Sequence, residues 1–229
     1  MKKKITALAI MLAIFLTLCP MAFAETYDYD VGDTVYLGYY EIDGDSSNGL
    51  EEIPWTVLKR TRDNRVLLLC DYCLDTLPYD SSGDDVTWAD SEIREWLNGE
   101  FIETAFYGDP DDYICTVEIS TPAGQNKKTD GGDDTEDKVF LLSIDEVQEY
   151  LTTYESRKTP VTDYAKKIGA QADGHGNGRW WLRSPGGEQD KAANIHAAGG
   201  INYDGRPVES EEFCIRPALW LDLNVISDA

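Results

Sequence analysis

The stretch GRWWLRSPGG (residues 178–187) holds two adjacent tryptophans, an arginine and a Ser-Pro-Gly-Gly stop. Side chains alternate across a strand, which places Trp180 and Leu182 on one face and Trp181 and Arg183 on the other. An arginine beside an indole, ahead of a glycine turn, suits a ligand clamp, a catalytic cation or a buried pin. The surrounding chain bears on that choice. From residue 179 onward the pattern is β throughout: RWWLRS, ANIHAA, INYDGRPV and FCIRPALWLDL, separated by glycines. Asp204-Gly205 is the residue pair of a tight hairpin turn and is expected to join residues 201–203 to residues 206–208.

Upstream, GDTVYLGYYEI (32–42) alternates and is rich in Val and Tyr, which marks a strand. PWTVLK (54–59) and RVLLLCD (65–71) flank the turn Arg62-Asp63-Asn64 and read as a β-hairpin. Ser91 caps a predicted helix over 92–98, where Ile93, Trp96 and Leu97 fall at i, i+3 and i+4 and Gly99 is the stop. Residues 101–106 add a further turn or two of helix. Residues 113–120 and 138–143 read as strands, and the polar, glycine-rich 121–137 between them as a mobile surface loop. Ser143 and Glu146 form a capping box for a helix with Ile144, Val147, Tyr150 and Leu151 on one face. TDYAKKI (162–168) is another short helix. Strands, then helices gathered in the middle, then strands predict an α+β domain with antiparallel sheets, not a doubly wound fold.

The chain opens MKKKITALAIMLAIFLTLCPMAFA: three lysines, an apolar run over 5–18, and the small-x-small triplet Ala22-Phe23-Ala24. This is the pattern of a secretory signal peptide over residues 1–24, too short and wrongly flanked for a resident membrane span. A lipoprotein reading through Cys19 is opposed by the bulky Leu18 before it. The expectation is a secreted, extracellular chain, not inserted in a membrane, with residues 25–229 forming one domain. The formal net charge of −23 becomes more negative once Lys2, Lys3 and Lys4 are removed. Such a surface repels nucleic acid and anionic membranes and favours cations, basic partners or neutral ligands such as sugars. Apolar residues at 42% and aromatics at 11% exceed what a disordered chain carries.

Cys70, Cys73, Cys115 and Cys214 follow the signal. Four cysteines allow three pairings and spacing selects none; disulfides and buried free thiols both remain open. Cys70-Asp71-Tyr72-Cys73 has CxxC spacing but ends a strand-like run, so it lacks the helix start that acidifies a redox thiol. A zinc site would want a second close pair. The two histidines, His175 in DGHGNG and His196 in ANIHAA, accompany no nucleophile elbow of GxSxG type. DGDSSNG (43–49) resembles the start of a calcium loop, but its glycine falls one place late and the twelfth position is Pro54 instead of Glu. No cofactor is expected; calcium has a weak signal at most. The abundant carboxylates fit glycoside hydrolysis only where two face each other across a cleft.

Several motifs then combine: Trp180-Trp181-Leu182-Arg183-Ser184-Pro185-Gly186, Ala197-Ala198-Gly199-Gly200-Ile201, Asp204-Gly205 and Ile215-Arg216-Pro217-Ala218-Leu219-Trp220. With IPWTVL (53–58), VTW (86–88) and IREWLN (93–98), they resemble a family of uncharacterised extracellular domains common in Firmicutes bacteria. That resemblance covers almost the whole mature chain and carries no established activity. More distantly, the W-x-R-S … G … I-R-x-A ending is similar to the C-type-lectin-like fold of formylglycine-generating enzymes, with Cys214-Ile215-Arg216 where that family has Gly-Phe-Arg. The resemblance implies an α+β, C-type-lectin-like mixed domain whose irregular C-terminal loops form the ligand face. Those enzymes bind copper through a close cysteine pair in their C-terminal part, where this chain has Cys214 alone, so catalysis is not implied.

The leading expectation is a secreted, non-catalytic recognition module for a carbohydrate or a cell-surface protein. Its ligand-binding candidates are Trp181, Asn194, His196, Asn202, Tyr203 and Asp204, since amide, carboxylate and indole groups suit sugar hydroxyls and apolar sugar faces. Arg183 and Arg216 are expected to be structural, because the five donors of a guanidinium can satisfy several loop carbonyls or a carboxylate. Trp55, Trp96, Trp180 and Trp220 are expected in the core, Trp88 and Trp181 partly at the surface. The alternatives are an extracellular hydrolase or oxidoreductase with a carboxylate or thiol site, and a structural domain of a secreted assembly.

Overall fold

The computed structural model describes residues 28–125 and 128–226; the signal-peptide reading of residues 1–24 lies outside them. The Val- and Tyr-rich runs near the start become β1 (Thr34–Tyr40), β2 (Glu51–Arg60) and β3 (Arg65–Cys70), followed by a short β4 (Asp75–Thr76). Helices α1 (Glu92–Asn98) and α2 (Glu100–Ala105) come next. Ser91 caps α1 by accepting the Arg94 amide at 3.4 Å, and the helix buries Ile93 and Leu97. The middle continues with β5 (Val117–Ile119), β6 (Thr135–Asp137), β7 (Val139–Phe140), α3 (Ile144–Tyr150), α4 (Tyr154–Arg157) and α5 (Asp163–Ile168). Last come β8 (Trp180–Pro185), β9 (Lys191–Ile195), β10 (Ile201–Pro207), β11 (Cys214–Ile215), β12 (Ala218–Asp222) and the short α6 (Leu223–Ile226). This is an α+β arrangement with its helices gathered mid-chain.

Two five-stranded sheets carry the architecture, ordered β1-β2-β3-β12-β7 and β10-β9-β8-β11-β4, with β5 and β6 as a separate ribbon. The first sheet is antiparallel throughout. The second is mixed, because β11 runs parallel to β8 with Cys214 opposite Trp180; the expectation of antiparallel pairing alone is corrected there. FCIRPALWLDL is likewise two strands instead of one. Its first half joins the second sheet as β11, its second half joins the first as β12, and the chain crosses between them at Arg216-Pro217. Proline has no amide to give a ladder, and the Pro217 carbonyl accepts the Cys70 amide at 2.9 Å instead. Buried apolar residues from Val35 to Leu223 form one cluster that both sheets share.

Three other expectations change. Asp204-Gly205 is not a two-residue hairpin turn: both residues lie inside β10, where the register against β9 shifts between Asn202 and Arg206. Gly205 has φ 76°, and a Cβ there would stand 2.6 Å from the Ala192 carbonyl oxygen, so the glycine serves a bulge pressed against β9. The turn sits earlier, where the His196 amide donates to Gly200 O at 2.8 Å. Residues 121–137 are not merely a surface loop, since Thr121, Thr129 and Asp137 are buried. The polarity that suggested solvent is bonded inward: Asp137 accepts Trp88 Nε1 at 2.9 Å, Arg94 Nε at 2.7 Å and the Thr135 hydroxyl at 2.7 Å. Finally, every residue of β8 is buried, because it is an interior strand between β9 and β11 with both faces covered. Trp181 is therefore a core residue, and Trp88, ahead of α1, is buried as well, so neither is partly exposed; Trp55 and Trp180 are in the core as expected, whereas Trp96 and Trp220 are only partly buried against it.

Candidate ligand face

β8 explains the fate of the arginine and indole that opened the sequence. Arg183 is buried and its Nη1 donates to the Leu141 carbonyl at 2.8 Å and to the Glu146 carboxylate. Nη2 reaches the Ser120 carbonyl at 3.4 Å, and the guanidinium lies over the Phe140 ring. Arg216 is buried at the crossing between the sheets, with Nε donating to the Cys70 carbonyl at 2.8 Å and its plane 5.1 Å above the Trp180 ring. Both cations hold backbone carbonyls inside the molecule. Both are almost fully shielded from solvent by the described residues.

The six ligand-face candidates divide into an interior pair and a surface group. Trp181 is 0% exposed, stacks on Phe213 at 4.3 Å between ring centroids, and donates Nε1 to the Leu77 carbonyl at 3.1 Å. Asn194, opposite it on β9, is also 0% exposed. These two are removed from the ligand face, because an interior strand buries side chains of both parities. His196, Tyr203 and Asp204 are exposed and Asn202 is half-buried, all on the β9–β10 hairpin. Asn202 is tied to its own bulge, donating Nδ2 to Gly205 O at 3.0 Å. Burial, and then Arg179 and Arg206, hold the His196 imidazole below the usual histidine range, which keeps it neutral at pH 7.

Two side chains absent from the sequence reading complete this surface. Tyr154, at the start of α4, is 65% exposed. The turn glycines bring it in: a Cβ on Gly199, at φ 85°, would stand 2.0 Å from the Tyr154 carbonyl oxygen. From the Cβ position of Gly200, the His196 ring is 3.6 Å away and the Tyr154 ring 3.7 Å. Gln148 of α3 donates Nε2 to the Tyr203 hydroxyl at 3.0 Å and steadies a ring that is 38% exposed. No local motif near residue 150 signals this. The convergence exists only once α3 and α4 pack beside the hairpin.

Elsewhere, a concavity of about 420 Å³ opens beside β1 and β2 and is lined by Tyr36, Tyr72, Glu51, Glu52 and Asp71 among others. Two of its acids have structural partners: Glu51 accepts the Ile42 amide at 2.8 Å, and Asp71 accepts the Thr56 hydroxyl at 2.5 Å. Next to it, Glu41, Asp43 and Glu51 carboxylates lie within 4.8 Å of one another and are the residues that could hold a metal ion. The suspected calcium loop itself is occupied by its own donors, with Asp43 accepting the Asp45 amide at 2.8 Å and Asn48 Nδ2 at 2.7 Å. Among the described residues the cysteines have no histidine beside them. Cys70, Cys73 and Cys214 neighbour one another and Arg216, and Cys115 neighbours Arg65, Asp222 and Asp63.

The model of a family described as a domain of unknown function, DUF6273, matches residues 63–223. The chain belongs to the DUF6273 family. Searches of curated proteins and of solved structures returned no match. The DUF6273 match takes in β3 through β12, both buried arginines, and Tyr154, His196 and Tyr203. It leaves out β1 and β2, and with them Tyr36, Glu51 and Glu52 of the concavity beside those strands.

Proposed function

We propose that this DUF6273 protein is a secreted, non-catalytic recognition module of C-type-lectin-like architecture that binds carbohydrate at a cell surface. The reading rests chiefly on the rings of Tyr154 and His196, which meet at Gly200, with the exposed Tyr203 further along the same hairpin. Exposed aromatic rings next to a bare glycine turn offer flat apolar area to a sugar ring, and the Gln148 amide, the neutral His196 and Asp204 supply donors and acceptors for its hydroxyls. The strongly acidic surface disfavours polyanionic ligands and leaves neutral or cationic glycans as the class that fits. The experiment is a glycan-array screen followed by calorimetry on the hit. Tyr154→Ala and Tyr203→Ala are expected to weaken binding roughly tenfold or more, as removal of an aromatic anchor does, with unchanged urea midpoints. No hit on the array, or a hit that both variants keep at full affinity, contradicts the reading; binding to cells that protease treatment abolishes points to a protein ligand instead.

A second reading, an extracellular hydrolase, is favoured by one observation: the groove beside β2 holds Glu51, Glu52 and Asp71 together with two tyrosines. It requires that the protein cleave a polysaccharide and that Glu52→Gln abolish the cleavage.

A further inference from the structure

Three of the four cysteines among the described residues meet where the two sheets join. Cys70 ends β3, Cys73 follows three residues on, and Cys214 opens β11 opposite Thr76 of β4 and Trp180 of β8. All three are buried thiols. Gly178 measures the space between two of them. A Cβ placed on that residue would stand 2.5 Å from the Cys73 sulfur and 2.7 Å from the Cys214 sulfur. Both sulfurs thus lie within 2.7 Å of one point. The backbone on either side is fixed, since the Cys73 amide donates to Pro160 O at 2.9 Å, Leu74 N to Ile215 O at 2.9 Å, and Cys214 N to Arg179 O at 2.7 Å. The remaining cysteines are placed differently: the Cys70 sulfur accepts the Tyr72 amide at 3.5 Å, and Cys115 lines a separate hollow with Arg65 and Asp222.

We infer that Cys73 and Cys214 form a disulfide when the chain folds in an oxidising medium, with Cys70 and Cys115 left as thiols. Hydrogen bonds fix the backbone on both sides and the two sulfurs converge on the Gly178 position; the placement of the two residues is what decides whether cysteines can be bridged. The oxidant is itself a disulfide, of a small molecule or of an oxidising protein, and the step is thiol–disulfide exchange. The Cys73 thiolate attacks one sulfur of the donor and the donor's other sulfur leaves as a thiolate. The Cys214 thiolate then attacks the Cys73 sulfur of the mixed disulfide and expels the second donor sulfur. One S–S bond forms in the protein, one breaks in the donor, and the two protons lost by the cysteines end on the two donor thiols.

Timing follows from burial. In the packed protein, burial raises the Cys73 thiol well above its ordinary pKa and pushes Cys70 up to about 12. The thiolate is the reactive form, so exchange belongs to folding, before β8 and Gly178 close over the pair. Once closed, the bond joins β11 to the segment before β4 across a loop of about 140 residues and restricts the unfolded chain accordingly. The inference is independent of the carbohydrate reading, since it rests on thiol placement alone.

The test is a disulfide map of the full chain refolded in oxidised and reduced glutathione. The protein is denatured without reductant, alkylated with iodoacetamide and cleaved before aspartates; cutting before Asp71 separates Cys70 from Cys73. The expected result is a linked peptide pair carrying Cys73 and Cys214, alkylated Cys70 and Cys115, and the same link in Cys70→Ala. Reductant is expected to lower the urea midpoint of wild type and Cys70→Ala but not that of Cys214→Ser. Alkylated Cys73 and Cys214 after refolding, a Cys70–Cys73 link, or a wild-type midpoint indifferent to reductant overturns the inference.

Discussion

At the scale of single residues, the buried tyrosines set how the protein responds to pH. The Tyr40 hydroxyl donates to the Asp75 carboxylate, which also accepts the Thr76 amide at 2.6 Å. Burial raises Tyr40 far above the usual tyrosine range, and the Asp75 charge adds to it; burial raises Tyr79 as well. A pKa raised on folding means that the unfolded chain ionises first, near pH 10, while the folded chain stays protonated. The stability tied to these hydroxyls is fully present below about pH 10 and is lost as pH rises beyond it. Urea midpoints should therefore hold up to about pH 9.5 and fall above it, and fall less in Tyr40→Phe, where Tyr79 and the less buried Tyr113, Tyr150 and Tyr164 remain. At pH 7 that variant should be less stable by about 1–3 kcal/mol, because Asp75 is left buried without its hydroxyl donor. An equal alkaline drop in both proteins would contradict the account. Residue by residue, the sequence is least informative at such places: nothing near Tyr40 names Asp75 as its partner, and Trp181 and Asn194 have surface-suited chemistry on two neighbouring interior strands, β8 and β9.

At the scale of elements, Glu146 couples α3 to β8. Its carboxylate accepts the Ser143 amide at 2.7 Å as half of a capping box and also receives Arg183. The next residue of β8 repeats the tie, with the Ser184 hydroxyl accepting the Ile144 amide at 2.9 Å. Ser143→Ala removes one cap and should cost about 1 kcal/mol. Arg183→Ala should cost about 3–5 kcal/mol, since it strands the Leu141 carbonyl and the Glu146 carboxylate together. In a urea-denaturation cycle, Glu146→Ala and Arg183→Ala should fall short of additive by roughly 0.5–3 kcal/mol. Strict additivity, or a wild-type midpoint for Arg183→Ala, would refute the shared role. The capping box was legible because its signal spans four residues. The Asp204-Gly205 pair misled for the opposite reason: the pull of the β9 ladder, distant information, turned a turn signal into a bulge within β10.

At the scale of the whole molecule, the order of strands, helices and strands was enough to place the chain in the α+β class, because hydrophobic period and caps are local properties. The parallel pairing of β8 with β11, and the crossing at Arg216-Pro217, depend on which strands meet, and no local pattern encodes that. The same limit applies to the ligand face. His196, Asn202, Tyr203 and Asp204 share one segment and could be gathered from it, whereas Tyr154 and Gln148 arrive from α3 and α4 and become visible only in the packed structure. The most direct measurement is an NMR titration of the protein with a glycan selected on the array, read at the aromatic and amide signals. The account predicts shifts concentrated at Tyr154, His196, Asn202 and Tyr203, with Tyr36 and Tyr72 unmoved. Shifts concentrated at Tyr36, Tyr72 and Glu52, with the β9–β10 hairpin silent, would contradict it.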